Sequence, residues 1–346
     1  MNILVTGGAG YLGSVLIPKL LVRGHKVRTL DIGYFGVEHI RAMRPAVEIL
    51  RDDIRAVLAD QTATEALLKG MDVVIHLAAI SNDPSAELNP RLTEEVNFEA
   101  TRDLAVACKA RGCRFIFSSS CSVYGEAAGE ASEDGQTNPL TAYAKSKVDS
   151  DQFLLSLADA NWRPAILRNG TLYGFSPRMR FDLVINIFSY CSTLYNEVRV
   201  FGDGQQWRPF LHVADCARAF IHFAENPRHK HVICNIAHEN FRVVDLVEIF
   251  QRINPACKPV YVKLENPDLR NYHVSVARMK EEGITPTVKV QAGAEEIIEA
   301  IVTGRIADPE AVYYRNAKWL KELSELGSRD HRSLIGMLDL MASARR

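Results

Sequence analysis

Short apolar runs alternate with amphipathic stretches through the first half of the chain. Ile3-Leu4-Val5 reads as a buried strand, and residues 10–24 as a helix with Val15, Leu16, Leu20 and Leu21 toward one side. Further strands are expected over 26–31, 47–50, 73–77, 115–117 and 165–167, with helical patterns between them, notably over 91–111 and 142–160. Strands that are apolar nearly throughout belong to a parallel sheet covered on both faces. Past Thr171 Gly, Pro and aromatic residues cluster and the alternation is interrupted, until a helix over 214–224 and a strand over 232–236 return. This pattern predicts a sheet domain over 1–170, rejoined by 211–240, and a smaller, interleaved second lobe built from 171–210 and 241–302. A cleft is expected where they meet. Residues 303–346 read as a polar helical tail, including Lys318-Trp319-Leu320-Lys321, with a surface helix or subunit contact as the expectation.

Composition narrows the class. With 346 residues, 47% of them hydrophobic, the chain can bury a large core. A charged fraction of 24% and a net charge of -1 fit neither a nucleic-acid binder nor a disordered chain. No run is long and apolar enough to span a bilayer, and a glycine cluster follows the first apolar residues too soon for a signal peptide. A cytoplasmic protein is the expectation. The seven cysteines lack paired spacing and read as reduced, buried thiols; the ten histidines show no zinc pattern, so no metal is expected.

Thr6-Gly7-Gly8-Ala9-Gly10-Tyr11-Leu12-Gly13 follows a strand and opens a helix. Its glycines allow a tight turn and close backbone approach to a pyrophosphate, and the helix N-terminus offers N–H groups and a favourable dipole. Asp31, at the end of the second strand, stands where an acidic residue would meet ribose hydroxyls and repel a 2′-phosphate, which points to NAD. Asp52-Asp53-Ile54-Arg55 by itself reads as a charged turn before a helix.

With His76-Leu77-Ala78-Ala79, Val96-Asn97, the 118–125 segment and Tyr143-x-x-x-Lys147, these motifs form an ordered set. From Met1 to about Lys280 the chain resembles the extended short-chain dehydrogenase/reductases, in their nucleotide-sugar epimerase/dehydratase branch. The resemblance implies a Rossmann-type doubly wound α/β sheet with a smaller, interleaved C-terminal substrate lobe. It also implies cofactor contacts from Gly7, Gly10, Tyr11, Leu12, Gly13, Asp31, Asp53 and Ile54, with Leu77, Ala78 and Ala79 lining the cleft and Ser118 near the cofactor. Asn97 would brace the sheet.

Tyr143 and Lys147, four residues apart on a helix, share a face. A phenol is a poor base at neutral pH, and a neighbouring ammonium is expected to lower its pKa, making the pair a general base for a sugar hydroxyl or, in reverse, a general acid. Hydroxyls at the carboxyl end of a parallel strand face the ligand crevice, and Ser120 aligns with the family's catalytic hydroxyl. Sugar dehydratases of the family carry an Asp-Glu pair after that serine. Here Cys121 and Ser122 follow, which disfavours dehydration, and Cys121 is out of step by one from the cysteine acid of other members. The Ser120-x-Ser122 pattern resembles 4-epimerases and simple ketoreductases.

On the substrate side, Arg208 and Arg270 match two diphosphate-binding arginines, a forked pair suited to a pyrophosphate. Asp182 falls where the family often has asparagine, and Thr171 replaces another asparagine of the substrate segment. The resemblance thus implies a nucleotide-diphosphate sugar as substrate and a homodimer formed by helices including that of Tyr143. Three functions stay open at this point. They are epimerisation through a transient keto sugar with bound NAD, reduction of a 4-keto-deoxy sugar by external NAD(P)H, and a non-catalytic NAD-binding regulator.

Overall fold

In the computed structural model, residues 1–263 and 269–325 are described. Seven parallel strands form the central sheet: β1 (Asn2–Thr6), β2 (Lys26–Leu30), β3 (Val47–Leu50), β4 (Val73–His76), β5 (Arg114–Ser120), β6 (Ala165–Asn169) and β7 (Ile233–Ile236). Their order is β7-β6-β5-β4-β1-β2-β3. The order reverses between β1 and β4, and open α/β sheets bind ligands at such a switch point, beyond the carboxyl ends of the strands.

The helices that matter for the cleft are α1 (Gly13–Val22), α2 (Ala100–Ala110), α3 (Ala142–Leu157), α4 (Val213–Glu225), α5 (Val290–Val302) and α6 (Asn316–Glu325). Helix α1 starts three residues later than its apolar pattern suggests, because 7–12 are spent on the glycine loop. The expected helix over 91–111 runs as Pro90–Glu94, a wide turn at Glu95–Glu99, and α2. Strand β5 extends through Ser120, beyond its apolar stretch, so the serine run itself carries sheet geometry into the crevice.

The two faces of the sheet are buried separately. Ile3, Val5, Ile75 and Leu167 pack with Leu16, Leu20, Phe220 and Phe223 from α1 and α4. Leu4, Val74, Phe115 and Ile166 pack with Leu104 of α2 and Leu154 of α3. This is the alternation of a doubly covered strand, each successive side chain meeting the opposite helical layer.

Beyond β6 the chain builds small sheets: Thr171–Tyr173 with Trp207–His212 and Glu239–Arg242, and Glu197–Phe201 with Lys258–Val262. They share a core of Ile185, Phe188, Phe210, Leu246 and Phe250 with α5. The segment Val213–Ile236 leaves this region to place α4 under the main sheet and β7 at its edge.

The tail differs from expectation. Trp319 and Leu323 of α6 are buried, packed against Tyr34 and Phe35 beside the second strand. Their position repeats on one face of the helix, and that apolar face is what docks. Residues 326–346 of the anticipated tail lie outside the described residues. All seven cysteines are buried and free.

Candidate active site

A single cleft of about 1280 Å³ runs from the glycine loop across the ends of β4 and β5 to the small sheets. That volume exceeds the roughly 300–1000 Å³ usual for a pocket that holds one small ligand, which leaves room for more than one. Gly7, Gly10, Tyr11, Leu12, Gly13, Asp31, Asp53, Ile54, Leu77, Ala78, Ala79, Ser118, Ser120, Ser122, Tyr143, Thr171, Asp182, Arg208 and Arg270 all line it.

At the glycine end, Gly7 has φ +74°, and a Cβ there would lie 2.6 Å from the Ala78 nitrogen. A Cβ on Gly13 would lie 2.6 Å from the Gly7 carbonyl oxygen and from the Gly8 Cα. Side chains are excluded at both points, so loop, strand end and helix start close on each other as a dinucleotide cradle requires. Asp31 accepts from the Ala9 N–H at 2.9 Å and the Gly33 N–H at 2.7 Å. Burial pushes its carboxyl up, and these two N–H donors hold it down. Tyr11 anchors the far side of the loop by donating to the Gly174 carbonyl at 2.6 Å. Asp53 has two roles: it lines the cleft, and it caps the helix Ile54–Ala59 while pairing with Arg55 at 2.6 Å. The charged turn and the cleft-lining position are the same residue.

In the middle, Lys147 is buried, donates to the Ser118 carbonyl at 2.7 Å, and lies 5.7 Å from the Tyr143 ring centroid. Tyr143 hydrogen-bonds Ser120. The Ser122 N–H donates to the Ser120 hydroxyl at 3.1 Å, while the Ser122 hydroxyl is buried with no partner. Cys121 turns away, donating to the Arg168 carbonyl.

The electrostatics differ from the sequence expectation. Tyr143 is pushed up to about 12, chiefly by burial and then by the Asp83 carboxylate, against the Ser120 hydrogen bond and the Arg180 and Arg270 guanidiniums. Burial in turn pulls Lys147 down to about 8. The spacing of Tyr143 and Lys147 places them together, but burial is the largest cause of the shift in each.

The helix bearing this pair is tied down at its start. Thr141 caps α3 and donates to Asp83 at 2.5 Å, and the Ala142 N–H donates to Glu87 at 2.8 Å. Asn97 bonds both backbone groups of Ile80 and the Ser146 hydroxyl, so it braces the 80-loop against α3.

At the far end, Arg208 is buried and donates to the Arg270 carbonyl at 2.5 Å, bringing the two arginines together. Arg270 pairs with Asp83. Asp182 is engaged by Arg180 at 2.9 Å and by Asn82 at 2.7 Å, rather than standing free for ligand. Thr171 lines the cleft without an amide. Nearby Asn169 supplies one, bonding the Ser118 hydroxyl at 3.0 Å.

Sequence reasoning missed Asn82, Asp83, Arg178, Arg180 and Asn316, all of which line the cleft. Asn82 has φ +85°, an uncommon conformation that marks a locally constrained site. The Arg178-Met179-Arg180 pair within an otherwise apolar stretch is the signal available beforehand. Among the described residues no group of three His, Cys, Asp or Glu could hold a metal, and no helix is long and apolar enough to cross a membrane.

Known proteins give this geometry a place. The chain is similar to an uncharacterized UDP-glucose epimerase, YtcB, of Bacillus subtilis, at 32% identity over 63% of this chain and 71% of that protein. It is similar to a UDP-N-acetyl-alpha-D-glucosaminuronate decarboxylase of Bacillus cytotoxicus, at 29% identity over 86% and 96%. Among solved structures, the UDP-glucuronic acid 4-epimerase of Bacillus cereus in complex with NAD superposes with a TM-score of 0.74 at 27% identity, over 88% of this chain and 99% of that one. The profile of one family matches residues 3–237, taking in the glycine loop, the Ser120–Tyr143–Lys147 group and Arg208; the chain belongs to the NAD dependent epimerase/dehydratase family.

Proposed function

We propose that the protein is an NAD-dependent nucleotide-sugar epimerase that passes through a keto sugar. The observation that carries this is the continuity of the cleft: the glycine cradle and Asp31 at one end, Ser120 and Tyr143 in the middle, and the Arg208–Arg270 pair at the other. Relatives described as UDP-glucose 4-epimerases, and a UDP-glucuronic acid 4-epimerase holding both NAD and its sugar nucleotide, support the same reading.

Gly7, Gly10, Tyr11, Leu12 and Gly13 would hold the pyrophosphate of NAD, Asp31 its adenosine ribose, and Asp53, Ile54, Leu77, Ala78, Ala79 and Ser118 the walls around it. Held there, NAD would supply a reversible hydride acceptor for the sugar ring carbon. In its phenolate form Tyr143 takes the hydroxyl proton as the ketone forms and gives it back when the alcohol reforms, so no proton or electron is gained or lost overall. Ser120 hydrogen-bonds the reacting oxygen beside Tyr143. Lys147 keeps a positive charge beside Tyr143 that favours this phenolate, fixed by the Ser118 carbonyl.

Arg208 and Arg270 bind the substrate diphosphate, with Ser122 and Thr171 around the sugar and Asp182 in the cleft wall, held by Arg180 and Asn82. Arg270 must then be shared between the diphosphate and Asp83. We assign residues 1–170 and 211–240 to the cofactor domain, and 171–210 with 241–302 to the substrate lobe. A cytoplasmic homodimer built on α2 and α3 is part of the proposal, supported by exposed Val106 and Leu155 on those packed helices.

The test is a panel of UDP-, GDP-, dTDP- and CDP-sugars, followed by chromatography with and without NADH. Interconversion of two nucleotide sugars of equal mass, with no net change in nicotinamide absorbance, is expected. Stoichiometric NADH consumption with a keto sugar would overturn epimerisation in favour of a reductase.

A further inference from the structure

The tail is fastened to the cofactor half of the cleft at two points. Trp319 donates from Nε1 to the Tyr34 carbonyl at 2.6 Å and packs with Tyr34 and Phe35, on the loop that follows Asp31. Asn316 is buried and makes three hydrogen bonds to three different chain segments or side chains. Its Oδ1 accepts from Arg178 at 2.5 Å, its Nδ2 donates to the Ser81 hydroxyl at 3.3 Å, and its backbone N–H donates to Asp182 at 3.2 Å.

The circuit closes through Arg178, whose guanidinium lies 3.8 Å from the Phe35 ring centroid. A further tie comes from the Phe181 N–H, which donates to the Tyr314 carbonyl at 2.8 Å. Residues Arg315, Asn316, Ala317 and Lys318 thereby line the same cleft as Asp31, Tyr34, Phe35 and Gly36. They lie well beyond residue 237, where the family match ends.

We infer that the segment 311–325 is a strap across the dinucleotide site, with Asn316 and Trp319 as its two fastenings, and that it keeps NAD resident between turnovers. The inference rests on the epimerase reading, in which NAD is regenerated in place and has no need to exchange. Asn316 and Trp319 are positioning residues: one holds Arg178 and the 81-loop, the other holds the Tyr34–Phe35 loop. Because the strap obstructs passage, it slows entry and release together.

The full chain is loaded with NAD and desalted, and cofactor release is followed by quantifying NAD in filtrates over time. Binding is measured in parallel by stopped-flow quenching of protein fluorescence. Native protein is expected to retain NAD through desalting. Asn316→Ala and Trp319→Ala should each speed release at least tenfold and speed association as well, so that Kd changes less than the release rate. Unchanged release in Asn316→Ala overturns the strap, even if Trp319→Ala does not fold. A rise in release matched one for one by lost affinity also overturns it, since that is lost contact without gating. A native chain that binds no NAD overturns the epimerase reading beneath it, and is detected before any variant is made.

Discussion

Replacing Lys147 by Met removes a buried charge while keeping most of the hydrocarbon stem. The native side chain is 3% exposed, and burial lowers its pKa from 10.5 to about 8. Below pH 8 the ammonium is charged in both folded and unfolded chains, and the folded chain bears the whole desolvation cost. A shift of that size, at roughly 1.4 kcal/mol per pH unit, costs about 3 kcal/mol. As pH rises from 8 to 10.5 the folded chain releases the proton while the unfolded chain still holds it, so stability rises and the cost disappears. Met never bears it, but loses the hydrogen bond to the Ser118 carbonyl, worth about 2 kcal/mol while the amine is charged and about 1 kcal/mol once it is neutral. Lys147→Met should therefore be about 1 kcal/mol more stable than native at pH 7, and about 1 kcal/mol less stable near pH 10.5. Urea unfolding of both NAD-free proteins across that range measures the difference, with other titrations common to both. A difference that stays flat with pH would refute the argument. Turnover should fall in the same variant, because the charge that destabilises the fold is the one that supports the phenolate.

Tyr143→Phe should keep the fold and NAD binding while losing roughly 10²–10⁴-fold in turnover, the usual worth of general acid–base help; near-native rates would remove Tyr143 from its role. Asp31→Ala should weaken NAD binding and narrow its lead over NADP, since the variant loses both the ribose partner and the acceptor for Ala9 and Gly33. Fluorescence titration decides, and tighter NADP binding by the native protein would sink the assignment. Arg208→Ala should weaken nucleotide-diphosphate binding and leave NAD affinity nearly intact, read by calorimetry with each ligand separately; equal losses for both would mean the two anion sites are not distinct.

What the sequence made legible was local. The glycine loop, the strands and the Tyr143–Lys147 spacing are set by backbone geometry over a few residues, and the apolar runs of β1, β4 and β6 identify a doubly covered sheet by themselves. The remainder of the site is made by pairs distant in sequence. Asn82 meets Asp182 across 100 positions, Arg178 meets Asn316 across 138, and Asp83 meets Arg270 across 187. Nothing in the local pattern encodes those partners. Trp319 is the extreme case: in a polar stretch it reads as a surface residue, yet its partner Tyr34 stands 285 positions earlier. The Tyr143 expectation erred differently. Helical spacing shows that an ammonium shares a face with a phenol, but says nothing of the solvent lost around both, and burial decides the direction of the shift.

The central claim is that one cleft removes a hydride from a sugar carbon and returns it to the same carbon. It is tested most directly with a nucleotide sugar deuterated at the reacting carbon, turned over in ordinary water and analysed by mass spectrometry and NMR. The account predicts that the epimeric product keeps its deuterium in full on the inverted carbon. Loss of the label to solvent, or its accumulation in released reduced cofactor, would contradict it.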